Sequence, residues 1–299
     1  MKNLTLRQLR YFDALAQECH FGRAAERCAI SQPALSVQIR DLEESLGFAL
    51  FERGPRQVRL TARGEAFGKR ARDILRAVAD TGDWADTVRG KGLARLRLGV
   101  IPTIAPYLLP QFISEATSAF PDIDLHIRET VTPRLIGELI DGQLDAAIVA
   151  LPVDEPALTE LPLFTEEMLL VRPERDAGAP PVSAQALEGM RLLLLEEGHC
   201  FRDQALSFCN INPSRPRDGL DGSSLSTLVQ MVGAGIGVTL IPDMAADVET
   251  RTAPVCVTRF DAPPPTRTVG MVWRRTNPVA DALVQVAEIV RTLHIPHSS

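Results

Sequence analysis

Over roughly the first ninety positions the apolar residues recur at three- and four-residue spacing, the period of helices packed on one side. Leu9, Phe12, Leu15 and Ala16 make one such stripe, preceded by Thr5, whose hydroxyl suits a helix start. Arg23 through Cys28 reads as a short second helix, with Ala24 and Ala25 small enough for close helix–helix approach. The turn at Ala29 and Ile30 leads to Ser31, a good N-cap, and to Gln32-Pro33, where proline's missing N–H does no harm. The third helix carries Leu35, Ile39, Leu42 and Leu46 as its core stripe. Pro33, Ser36, Val37 and Arg40 lie on a different face, with Gln32 and Gln38 nearby. Phe48 to Arg53, Gly54-Pro55 and Arg56 to Leu60 then predict a hairpin-like wing with Arg53 and Arg56 at its tip. Thr61 starts a long helix predicted to reach about Arg89, with Phe67, Ala71, Ile74, Leu75, Val78 and Trp84 as an interrupted apolar stripe.

Gly90-Lys91-Gly92 ends that helix, and from Leu96 strands and helices alternate, which predicts an α/β fold. Strands are expected over 96–101, through Ile123, Leu125 and Ile127, and over 144–151. Helices are expected around Pro110–Phe120 and from Thr132-Pro133 to Gly142. A further unit spans roughly 165–267, with strands near 168–171, 191–195 and 237–241, followed by Val269–Trp273 and a helix over Val279–Leu293. The expected organisation is a winged helix-turn-helix over 1–60, a linker and dimerisation helix over 61–91, and an effector domain over 92–299.

The chain of 299 residues is long enough for these parts, and its net charge of −6 is unevenly spread. Residues 1–91 hold 16 Lys and Arg against 12 Asp and Glu, a net of +4; the remainder holds 16 against 26, a net of −10. A basic head on an acidic body suits a nucleic-acid reader attached to a sensor. Two helices joined by a tight turn, the second presenting Gln, Ser and Arg, fit major-groove reading: Gln and Arg pair with base edges and Ser holds phosphates. No secretory apolar segment follows Met1, and no apolar run is long enough to span a bilayer, so a cytoplasmic protein with no membrane partner is expected. Five cysteines without a dense framework suit a reducing compartment. Cys19 and Cys28 are expected as core thiols of the reader, Cys256 as a structural thiol on a strand, and Arg172, Arg175, Arg215 and Arg217 as solvated charges.

The segment Glu196 to Cys209 carries the candidate chemistry. Cys200 follows His199 and precedes Arg202 at what reads as a helix start, and Cys209 lies on that helix's apolar side with Phe201, Ala205 and Phe208. A thiol among cations can ionise, and the thiolate is the form that attacks peroxides and disulfides. Nine helical residues separate the two sulfurs by roughly 13 Å, whereas a disulfide needs Cα atoms within roughly 7 Å. A bond between them requires the segment to unwind. No cysteine–histidine spacing makes a zinc site and no Gly-rich phosphate loop occurs, so neither metal nor other cofactor is expected.

Phe21-Gly22-Arg23-Ala24-Ala25-Glu26, Ile30 to Ser36, Ile39-Arg40-Asp41-Leu42-Glu43, Leu46-Gly47, Leu50-Phe51-Glu52-Arg53 and Leu60-Thr61 together resemble the DNA-binding domain of LysR-type transcriptional regulators. The resemblance implies double-stranded promoter DNA as partner, with Gln32, Pro33, Ser36 and Arg53 meeting it. Arg40 and Arg56 are added on charge and geometry, and Ser31 and Gln38 complete the expected DNA-binding set. It also implies a C-terminal effector domain of two periplasmic-binding-protein-like lobes, lobe I about 92–164 with 268–299 and lobe II about 165–267, in a homodimer or homotetramer that acts with RNA polymerase.

Within that family, Gly198-His199-Cys200-Phe201-Arg202-Asp203-Gln204-Ala205 with Phe208-Cys209 resembles the peroxide-sensing branch. Ile101-Pro102-Thr103, Pro106 to Pro110, Thr132 to Leu135, Ser223-Ser224, Ala234 to Pro242 and Arg267 to Gly270 extend the match. The resemblance implies that hydrogen peroxide oxidises Cys200, that Cys209 resolves it as a disulfide, and that cellular dithiols reset the pair. It implies a peroxide pocket of Thr103, Thr132, His199, Arg202 and Arg267, with Asp203 and Ser224 as weaker members. Two other readings stay open: a regulator whose lobe cleft binds a metabolite while the cysteines are incidental, and a thiol peroxidase.

Overall fold

The computed structural model describes residues 4–54, 58–88, 93–208 and 221–293, and falls into two compact units, Met1–Ala85 and Asp86–Ser299. In the first unit, helix α1 (Leu6–Glu18) starts at Thr5 in a capping box: the Gln8 backbone N–H donates to Thr5 Oγ1 at 3.2 Å and the Thr5 N–H donates to Gln8 Oε1 at 3.1 Å. Helix α2 (Phe21–Arg27) is capped by His20, whose Nδ1 accepts from the backbone N–H groups of Gly22 and Arg23. Helix α3 (Gln32–Leu46) starts at Ser31, whose Oγ accepts from the Ala34 N–H. Strands β1 (Phe51–Arg53) and β2 (Val58–Leu60) pair antiparallel as the wing. Glu43, near the end of α3, holds the wing's root by accepting from the N–H groups of Leu50 and Phe51 at 2.7 and 3.1 Å. Thr61 accepts from Gly64 N–H to start helix α4 (Ala62–Val88) and donates to Ala49 O.

Phe12 is the hub of this unit, with ring centroids 5.3 Å from Phe51 and 4.9 Å from Phe67. It ties α1 to both the wing and α4, so aromatic packing adds to simple area burial. Leu35, Ile39 and Leu42 are fully buried beneath it, as their spacing predicts. Cys19 is exposed rather than in the core, because α1 ends there in a left-handed turn that carries the side chain outward. Cys28 packs partly against the core.

The second unit opens with strand β3 (Arg95–Val100), helix α5 (Ala105–Ala119), strand β4 (Asp124–Glu129), helix α6 (Thr132–Ile140) and strand β5 (Ala146–Leu151). A 16-residue strand β6 (Leu158–Pro173) follows, then β7 (Leu194–Leu195), α7 (Cys200–Phe208), β8 (Asp221–Gly222), α8 (Leu225–Gly233) and β9 (Thr239–Pro242). Helix α9 (Ala246–Glu249), strands β10 (Val255–Thr258) and β11 (Thr266–Arg274) and helix α10 (Ala280–Thr292) complete it. The sheet runs β10-β6-β11-β5-β3-β4 with β9 also on β6; β3 is parallel to β4 and β5, and the remaining pairs are antiparallel.

Two hydrophobic cores share this sheet. One gathers β3, α5, α6, β5, β11 and α10; the other gathers Met168–Val171 of β6 with β7, α7, α8 and β9. Strand β6 passes from the first core at Leu158 to the second at Met168, which makes it a bridge between two α/β lobes. Helix α5 begins at Ala105, earlier than the expected start near Pro110. Burial of Ala105, Leu108, Phe112 and Ala116 along one face outweighs the hydrogen bond that Pro110 cannot donate. The strand expected over 191–195 shrinks to Leu194–Leu195, since Arg191 and Leu192 bond only to the Val238 segment.

Candidate functional site

Cys200 is the first residue of α7, half-buried and unbonded to any other sulfur. Its position depends on Gly198, whose φ of +94° turns the chain from β7 into the helix in a conformation that favours glycine. Cys200 then packs against the first core while its neighbour Phe201 is buried in the second. Helix α7 therefore starts on the seam between the lobes.

Three segments meet there. Ile101, Pro102 and Thr103 leave β3, Val131 and Thr132 start α6, and His199, Cys200 and Phe201 start α7; together they line a small, nearly closed pocket. Pockets that take drug-sized organic molecules run to roughly 300–1,000 Å³, and the space open here to a water-sized guest is about 0 Å³, so no such molecule fits. Helix α6 begins without a side-chain cap, which leaves its N–H groups and the positive end of its dipole facing this region.

The two threonines differ. Thr103 is 2 % exposed, and Arg267 donates through Nη1 to its Oγ1 at 2.8 Å and through Nη2 to its carbonyl at 3.0 Å. An arginine can only donate, so the Thr103 oxygen is an acceptor here and its own proton is free for a guest. Arg267 is itself fixed by Glu166, which accepts from Nε at 2.8 Å, and by the Phe201 ring 5.4 Å away. The second Glu166 oxygen accepts from Met244 N–H at 3.1 Å. Thr132 Oγ1, by contrast, is buried with no hydrogen-bond partner, so its hydroxyl is unused. Burial holds the His199 imidazole below its ordinary pKa of 6.5, against the opposing charge of Glu196, so the ring is neutral at pH 7 and can accept a proton.

Thr103, Thr132, His199 and Cys200 of the expected pocket are thus brought together, and Arg267 stands behind Thr103. Arg202 points elsewhere: its Nη1 donates to Leu195 O at 2.7 Å and Asp221 Oδ2 at 2.9 Å, tying α7 to β7 and β8. Asp203 is exposed, and Ser224 caps α8 by accepting from Thr227 N–H. Cys209 lies outside the described residues. Sequence reasoning missed Glu166, which sits beside Glu167 in an ordinary strand pattern and carries no local sign of pairing with a residue 101 positions away.

On α3 of the first unit, roughly 100° per residue places Gln32, Pro33, Ser36 and Arg40 within one quadrant of the helix. Gln32, Pro33 and Arg40 are exposed and Ser36 half-buried. Gln38 falls on the opposite flank of the buried stripe and does not join them, while Ser31 is occupied by its cap bond. Val37 is exposed beside this quadrant. Nothing is described of the Arg53 side chain, and Arg56 lies outside the described residues.

The family model of the LysR substrate binding domain matches residues 90–293, and that of the bacterial regulatory helix-turn-helix protein, lysR family, matches 6–65. The chain belongs to the LysR family. Among relatives, this LysR chain is 39 % identical over 290 residues to the hydrogen peroxide-inducible genes activator of Dickeya chrysanthemi, covering 96 % of this chain and 95 % of that one. A full-length cysteine-to-aspartate variant of OxyR from Pseudomonas aeruginosa is similar in structure, with TM-score 0.79 and 38 % identity over 99 % of this chain and 98 % of that one. A hydrogen-peroxide-bound cysteine-to-serine variant of Corynebacterium glutamicum OxyR matches with TM-score 0.66 and 36 % identity over 96 % and 91 % of the two chains.

Proposed function

We propose that this LysR-family regulator senses hydrogen peroxide at Cys200 and changes its hold on promoter DNA when Cys200 and Cys209 join. The observation that carries the reading is the small pocket in which Cys200, neutral His199 and the unpartnered Thr132 hydroxyl converge. His199 takes the thiol proton, and the sulfur attacks one peroxide oxygen. The O–O bond breaks, Cys200 becomes a sulfenic acid, and the departing oxygen leaves as water after gaining a proton. Thr103 and Thr132 are placed to donate to the peroxide oxygens as charge develops. Attack by Cys209 then releases a second water and forms the disulfide, which a dithiol later reduces.

Helix α7 holds Cys200 and Phe208 at opposite ends, roughly 12 Å apart at the usual helical rise. A disulfide to the residue after Phe208 therefore requires the helix to give way. Gln204 Oε1, buried on α7 without a partner, makes this helix a weak point of the lobe. The expected readout is a change in how paired DNA-binding units sit on a promoter. Ile74 and Val78, one turn apart on α4 and 45 % and 37 % exposed, suit pairing with the same helix of a second copy. A metabolite effector bound at the Cys200 seam has less support, because the pocket there has too little space for one.

The test is mass spectrometry of the full chain after stoichiometric peroxide, paired with footprints of both redox forms on one promoter. A Cys200–Cys209 linkage with an altered footprint, both lost in Cys200→Ser, supports the reading. Free thiols after treatment overturn it.

A further inference from the structure

Arg172, expected from the sequence as a solvated charge, is only 5 % exposed, although it lies next to the end of β6, opposite Cys256 of β10. Its Nε has no hydrogen-bond partner, and among the described residues it forms no ion pair. A cation buried this far with no carboxylate at ion-pair distance is costly, since burial strips hydration that no salt bridge replaces.

Arg172 lines a second pocket, which shares no lining residue with the Cys200 pocket and has a volume of about 340 Å³. Arg175 and Arg191 line the same space, as do Asp176, Met190 and Val238. Neither of the other two arginines has an ion pair among the described residues. The walls are set by the backbone: Val238 N–H donates to Arg191 O at 2.9 Å, and Leu193 N–H donates to Val238 O at 2.8 Å. Gly237 is required for this approach, since a Cβ there would stand 2.3 Å from Arg191 O. The Arg175 guanidinium lies over Gly235, 3.4 Å from where a side chain would begin. Three arginines thus line one space whose backbone walls are fixed by hydrogen bonds.

We infer that this pocket binds a small organic dianion, a phosphate ester or dicarboxylate, through Arg172, Arg175 and Arg191. Planar guanidinium forks match the oxygens of phosphate and carboxylate two at a time. Inorganic phosphate alone leaves much of the space unfilled, and Met190 and Val238 offer apolar cover for a carbon skeleton. Asp176 at the margin calls for a hydroxyl or ammonium donor on the guest. The site is separate from the thiol chemistry, and its test does not depend on Cys200.

The experiment is isothermal titration calorimetry on the reduced full chain at fixed ionic strength. The probes are glucose 6-phosphate, malate, inorganic phosphate and, as neutral control, glucose. Saturable binding of glucose 6-phosphate or malate with a Kd of about 1 mM or tighter is expected, and which of the two binds identifies the anion class. Arg175→Ala and Arg191→Ala, both at exposed positions, should each weaken it roughly tenfold to a hundredfold, as loss of a charge-assisted hydrogen bond does. Arg172→Met should abolish it, with thermal melting showing whether that variant folds. Failure of both organic dianions to saturate overturns the inference, and so does affinity unchanged in the Arg175 and Arg191 variants. Binding by inorganic phosphate alone also overturns it.

Discussion

Arg267 and Glu166 form a wholly buried ion pair, 2.8 Å apart, that joins the start of β11 to the middle of β6 and holds Thr103 beneath the Cys200 pocket. The pair matters for what its loss would leave behind. In Glu166→Ala the guanidinium remains buried with only the Thr103 oxygens, and breaking such a pair typically destabilises by about 3–5 kcal/mol. Urea unfolding of the full chain should show that loss. A change below about 1 kcal/mol would mean that water reaches Arg267 freely.

The two pocket threonines should separate stability from chemistry. Thr103→Val strands a buried Arg267 donor and is expected to cost about 1–3 kcal/mol. Thr132→Val removes a hydroxyl that already lacks a partner, so stability should hold or rise. Both should slow Cys200 oxidation, by roughly tenfold or more each if their hydroxyls donate to the transition state. Stopped-flow oxidation beside thermal melting reads both quantities. Thr132→Val oxidising at the parental rate would remove that hydroxyl from the mechanism.

Much of the reader was legible because its signals are local. Thr5, Ser31 and Thr61 cap helices through bonds three residues long, and the Leu35–Ile39–Leu42 stripe needs only a helical period to be seen. The His199-Cys200 pair at a helix start was equally local. What stayed hidden depends on partners far away in the chain. Arg202 and Arg267 enter the expected pocket on the same resemblance, yet Leu195 and Asp221 draw one away while Glu166 fixes the other behind Thr103. Arg172 reads as surface charge because an arginine near the end of an apolar strand gives no sign of what the neighbouring strand will cover. His20 as the cap of α2 was missed since histidine is not a usual N-cap residue.

Burial that lowers the His199 pKa has a signed consequence for stability. Between the depressed folded value and the ordinary value of 6.5, the folded protein binds fewer protons than the unfolded chain. Stability contributed by His199 is therefore present above pH 6.5 and is lost as the pH falls through that window. Melting temperatures at about pH 7.5 and about pH 5.5 should fall further for the parent than for His199→Asn, since other groups titrate alike in both. An equal fall in the two proteins would place the imidazole in water.

Tyr107 and Glu249 tie the two lobes from another side. Tyr107, on α5, packs against both cores and donates through its hydroxyl to Glu249 Oε1 of α9 at 2.6 Å. Burial, then the bond and charge of Glu249, push the phenol's pKa well up, so it stays a donor at all working pH. Tyr107→Phe keeps the ring and removes the bond, and should cost about 1–2 kcal/mol. The same loss should appear as faster amide exchange in α9, read by hydrogen–deuterium exchange mass spectrometry. Unchanged exchange there would show that apolar packing alone holds the contact.

On α3 we propose that the exposed face divides base reading from phosphate holding. Gln32 opens the helix and presents an amide able to bond an adenine edge in two places, a contact worth about 1–3 kcal/mol of discrimination. Gln32→Ala should therefore bring matched and mismatched promoter fragments closer in affinity, with little effect on non-specific DNA. For Arg40, exposed two turns further on, we propose a phosphate contact instead. Arg40→Ala should weaken all sequences alike and lower the slope of log affinity against log salt by about 0.9, the signature of one lost phosphate contact. Titrations of both variants at several salt concentrations distinguish the roles. If Gln32→Ala shifts the salt slope while discrimination survives, Gln32 holds phosphate and the reading of bases falls to Val37 and its neighbours.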